Sequence, residues 1–91
     1  MNRIGVDCSN SSGGWACRVT VAEGDGSLEF QVAVSPNELA RYAPGASDPA
    51  DLVRRSFEFL LAREPKESIL RSFSLSVIAR YFPEYPREIQ G

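Results

Sequence analysis

The chain of 91 residues contains no histidine, and that absence shapes every reading of its chemistry. Without imidazole there is no general base of the usual kind, no common metal ligand, and no Ser-His or Cys-His nucleophile pair. Cys8 and Cys17 are the only cysteines. They lack the Cys-x-x-Cys spacing and the further ligands of a structural zinc site. Both thiols are therefore expected to be inert and buried, cysteine acting as a small hydrophobe. Two acid pairs are spaced three apart, Glu64 with Glu67 and Asp48 with Asp51. Both fall at expected helix starts, where carboxylates offset the positive end of the helix dipole. Neither neighbourhood is apolar enough to raise a carboxyl pKa for acid–base work. Gly13-Gly14 and Gly24-Asp25-Gly26 lack the P-loop lysine and do not lead from a strand into a helix, so they read as turns. The expectation is a non-enzyme with no cofactor and no metal.

The elements that must carry these residues come from periodicity. Trp15 to Glu23 alternates, with Trp15, Cys17, Val19 and Val21 on one side. Ser27 to Val34 repeats the pattern with Leu28, Phe30, Val32 and Val34. A glycine-bearing turn joins the two into an antiparallel hairpin. A turn on Asp25-Gly26 sets Val21 against Phe30, and a turn on Gly24-Asp25 slips the pairing by two residues. Both registers keep apolar against apolar. Arg3 to Cys8 also alternates and offers a third strand, while residues 1–14 otherwise read as flexible.

Helices follow. Ser35-Pro36-Asn37-Glu38 is a capping box with proline in the first turn. Asp48-Pro49-Ala50-Asp51 opens the main helix, whose stripe is Val53, Phe57, Leu60 and Leu61, and Pro65 closes it. Ile69, Leu70 and Phe73 predict another short helix, and Ser74 caps a last one from Leu75 to Phe82, stopped by Pro83. The fold expected is one α+β domain over residues 1–91, an antiparallel hairpin or three-stranded sheet packed on three or four helices in the order ββαααα. Its core would hold Trp15, Val19, Val21, Phe30, Val32, Val53, Phe57, Leu60, Leu61, Ile69, Leu70, Phe73 and Ile78.

Composition is that of a globular protein, 43% hydrophobic and 24% charged, with a net charge of -2. The half through Leu52 carries −4 and the half from Val53 carries +2, which a basic helical layer beside an acidic sheet explains. No signal-like or membrane-spanning run is present, so the expected compartment is the cytoplasm and no membrane partner is expected.

From Ser56 to Ile89, the run Ser-Phe-Glu-Phe-Leu-Leu-Ala-Arg-Glu-Pro-Lys-Glu-Ser-Ile-Leu-Arg-Ser-Phe, followed by Val77-Ile78-Ala79-Arg80-Tyr81-Phe82-Pro83-Glu84-Tyr85, resembles a family of small uncharacterised bacterial proteins. The resemblance covers about the last third of the chain. It implies a bacterial source and a compact fold, and carries no activity, cofactor or site residue.

By elimination the function expected is protein interaction or regulation. Arg80, Tyr81, Phe82, Tyr85 and Arg87 form the candidate partner surface, since aromatics and arginine are enriched at interface hot spots. The bland alternative folds Tyr81, Phe82 and Tyr85 back into the core. Self-association through a hairpin edge is the other route to a partner. Nucleic acid is the alternative partner: Ile69 to Phe82 has the flavour of a helix-turn-helix of the antitoxin or transcription-regulator kind. Against it, only Arg80 would face a groove, and nine of the ten basic residues are arginines scattered over several faces.

Overall fold

A computed structural model describes residues 3–24 and 26–90. Three strands come first: β1 (Arg3–Ser11), β2 (Gly14–Glu23) and β3 (Gly26–Val34). Next are helices α1 (Pro36–Tyr42) and α2 (Ala50–Leu61), then a 3-10 helix at Lys66–Ser68. A short strand β4 (Ser72–Ser74) precedes α3 (Val77–Tyr81) and α4 (Tyr85–Gln90). The class is α+β, as expected, but the sheet is mixed. Its order is β1-β2-β3-β4, antiparallel through β3 and parallel at β4.

The first strand is regular along its length and pairs with β2 from Arg3–Ala22 to Ser11–Gly14. Ser12 and Gly13 make the connecting turn, and Gly13 takes the positive φ of 78° that such a turn needs at one position. Strand β1 thus runs through Asn10 and Ser11, where a loop was expected, and residues 1–2 of that segment lie outside the described residues. Gly14 is required for space, because a methyl there would overlap the carbonyl oxygen of Val34. Between β2 and β3 the register is the slipped one, with Val21 opposite Leu28, Val19 opposite Phe30 and Cys17 opposite Val32. Asp25, part of the expected turn, lies outside the described residues.

Pairing with β1 also brings Cys8 opposite Cys17, and the two are joined in a disulfide. This corrects the expectation of free thiols. Of the two, both expected to be buried, Cys17 is fully buried and Cys8 only partly; their direct opposition depends on a β1–β2 register that the isolated strand pattern does not fix.

The helical half departs from expectation at residues 69–82. Ile69 to Phe73 forms no helix. Instead Phe73 sits beside Val32, with Gln31 N–H donating to Arg71 O (2.8 Å) and Leu75 N–H to Ala33 O (3.0 Å). The exposed edge of β3 offers backbone groups that need partners, and Ser-Phe-Ser alternates well enough to supply them. In an extended chain neighbours face opposite ways. Ile69 is accordingly buried and Leu70, expected in the core, is 50% exposed. The expected last helix shrinks to Val77–Tyr81, and α4 follows Pro83. The helix-turn-helix pattern therefore has no first helix.

One face of the sheet is covered by helices and the other is open to solvent, its Arg18, Thr20, Glu29 and Gln31 all exposed. The core joins Val19, Val21, Phe30 and Val32 to Val53, Phe57, Leu60, Ile69 and Ile78. Cys17, Val34, Leu39, Tyr42, Leu52, Phe59, Leu75, Tyr85 and Ile89 also belong to it, while Trp15, Leu61 and Phe73 are only partly buried. Phe57 sits between Phe30 and Phe73, at ring-centroid distances of 5.1 and 6.1 Å. No helix among the described residues is long and apolar enough to cross a membrane.

Candidate functional site

The residues expected to form a partner surface are split by the fold. Arg80 and Arg87 are exposed, and Tyr81 is 67% exposed at the end of α3. Phe82 is half-buried, edge-on to Phe59 at 5.7 Å. Tyr85 leaves the surface altogether. Its ring packs against Tyr42 and Phe59, and its hydroxyl lies 2.6 Å from Ser56 Oγ. The cause is local: Pro83 and Glu84 reverse the chain after α3, so α4 returns along α2 with Tyr85 and Ile89 inward. Arg63 fixes that return. Its guanidinium stacks 3.6 Å from the Phe59 ring centroid and reaches Glu84 (3.3 Å) and Glu88 (3.1 Å) on either end of α4's first turn.

What the structure does assemble is an apolar groove of about 370 Å³. The end of α2 contributes Leu60, the segment after the 3-10 helix contributes Ile69 and Leu70, β4 contributes Phe73, and α3 contributes Val77, Ile78 and Tyr81, with Phe82 beyond it. The floor is core side chains seen from outside. Leu70 and Tyr81, the two exposed large hydrophobic side chains among the described residues, both line it. Polar groups are sparse: Glu64 and Ser68. Sequence reasoning missed Leu70 as a surface group because it placed Ile69–Phe73 on a helix. The strand signal was there in Phe73 flanked by serines.

Three of the four carboxylates read as helix-start acids are engaged structurally, and the fourth, Glu64, lines the groove. Asp48 Oδ1 accepts from the Ala50 N–H at 2.8 Å, and Asp51 pairs with Arg55 at 3.1 Å. Glu67, hydrogen-bonded to Lys66, has its carboxyl pulled below the usual range. Glu84 is lowered too, first by its own backbone N–H and then by Arg63. Glu67 and Glu84 are thus held in their charged form, the reverse of a poised acid. Among the described residues no three His, Cys, Asp or Glu side chains gather where they could hold a metal ion.

The other route to a partner is a free edge of the β2–β3 hairpin. β1 covers β2 along its length, and β4 covers β3 only over Gln31–Ala33. On the β2 side the outermost strand is β1.

Comparisons with protein-family models, with curated proteins and with solved structures gave no match.

Proposed function

We propose that the protein is a small non-enzymatic interaction module whose groove between α2 and α3 takes an apolar segment of a partner protein. The observation that carries this reading is the exposure of Leu70 and Tyr81 on a groove already floored by core side chains. Large apolar side chains left in water at a concave site gain free energy when a partner covers them, and a central apolar anchor is the usual form of an interface hot spot. The scarcity of polar groups fits an apolar side-chain anchor better than a polar metabolite.

The test is peptide selection from a random display library against the wild type and a Leu70→Ser/Tyr81→Ser variant. Both positions are exposed, so the variant keeps its fold, which circular dichroism checks. The wild type should enrich peptides with large aliphatic or aromatic residues, and the variant should lose that enrichment. Equal enrichment by both proteins would remove the groove as the site.

A further inference from the structure

The outer edge of β1 carries a row of unengaged backbone groups. β1 is the terminal strand of the sheet, and outside the β1–β2 ladder no backbone hydrogen bond among the described residues involves residues 3–11. Which groups point outward follows from the turn. A two-residue turn is closed by a hydrogen-bonded pair, here Ser11–Gly14, and hydrogen-bonded and non-hydrogen-bonded pairs alternate from there. Cys8 opposite Cys17 then falls in a non-hydrogen-bonded pair, in keeping with their close Cα separation of 3.9 Å. By the same alternation Ile4, Val6 and Asn10 direct their N–H and C=O away from β2.

We propose that β1 pairs antiparallel with β1 of a second copy about a two-fold axis at Gly5, joining two sheets into one. Outward-pointing residues must meet outward-pointing residues, which excludes every register shifted by one. Among the central registers that remain, the axis at Gly5 sets Ile4 opposite Val6 of the second copy, and Arg3 opposite its Asp7. An axis at Val6 leaves Arg3 facing Ser9 and Asp7 facing Gly5. An axis at Asp7 sets two carboxylates against each other, which is unfavourable. Charge thus selects the Gly5 register, and symmetry makes each opposite-charge pair twice.

Two further observations agree. Arg3 and Asp7 are exposed on the open sheet face and form no ion pair among the described residues. Asp7 lies opposite Arg18, which pairs with Glu29 at 3.6 Å. Arg3 of a second copy would therefore extend an alternating row, Glu29, Arg18, Asp7, Arg3. A side chain at Gly5 would meet nothing within 4 Å in the single chain, so the fold alone does not demand glycine there. At the axis the two Gly5 residues form a non-hydrogen-bonded pair, where backbones approach most closely.

Sedimentation equilibrium of the full chain tests this, with Arg3→Glu, Asp7→Lys and the double variant. The wild type should show a concentration-dependent dimer that weakens with salt. Each single variant places like charges opposite each other twice and should weaken association on the order of tenfold. The double variant swaps the pair and should recover most of it. Arg3→Glu faces only Ala22 within its own sheet, so it tests the dimer even if Asp7→Lys, which faces Arg18, perturbs the monomer. A wild type that stays monomeric at millimolar concentration, or single variants that associate as the wild type does, would overturn the proposal.

Discussion

Ser56 and Tyr85 show what a single buried contact asks of a core this small. Ser56 Oγ donates its one proton to Leu52 O at 2.8 Å, so the 2.6 Å contact with Tyr85 has the phenol as donor. Tyr85→Phe removes that donor and leaves an acceptor short, at a cost of about 1 kcal/mol. Ser56→Ala strands the phenol proton in an apolar interior and should cost more, about 1–3 kcal/mol. Because both variants delete the same contact, the double variant should lose less than the sum; strict additivity in urea unfolding would deny the coupling. Burial also pushes the Tyr85 phenol above its ordinary value of 10.0. Above that pH the unfolded chain releases a proton that the folded chain holds, so stability falls as pH rises. Tyr85→Phe should make that alkaline decline shallower, and an unchanged slope would mean the phenol is not held neutral by folding.

At the scale of elements, Glu38 ties two helix starts together. Its Oε1 accepts from the Ser35 N–H and its Oε2 from the Ser76 N–H, each at 2.8 Å, while Ser35 Oγ accepts from the Glu38 N–H at 3.1 Å. The capping box was legible in Ser35-Pro36-Asn37-Glu38 because its partners are three residues apart. The bond to Ser76 was not, since it spans 38 residues and exists only once β4 has placed the start of α3 beside α1. Glu38→Gln is a sharp test. An amide keeps one acceptor and turns an NH2 group toward the other N–H, so it should destabilise nearly as much as Glu38→Ala, by about 1–2 kcal/mol. Wild-type stability in Glu38→Gln would show that only the local cap matters. The same contrast explains the rest of the fold. β2, β3, α1 and α2 declare themselves through periodicity and caps within a few residues. β4, the inward Tyr85 and the exposed Leu70 depend on a sheet edge and a chain reversal that no local window contains, so the groove was unreadable although each residue lining it was visible.

Across the whole molecule, the Cys8–Cys17 bond joins the terminal strand to a strand of the buried core. Cys17 is fully buried and Cys8 partly so, and α2 packs against β1 from the inner face. The cross-link closes a loop of sequence separation 9 in the unfolded chain. In the chain-entropy account a loop near that length is worth about 2.5 kcal/mol, acting on the unfolded state rather than on any native contact. For a chain of this length such a loss lowers the unfolding midpoint by roughly 10–20 °C. Reduction is a cleaner probe than substitution, because Cys17→Ala would also empty core volume. Thermal unfolding with and without a thiol reductant should differ by that amount, while the β1–β2 ladder keeps the reduced sheet assembled at low temperature. Matching midpoints, with free thiols confirmed by chemical labelling, would mean that strand pairing and α2 alone hold β1 and that the bond adds nothing to the fold.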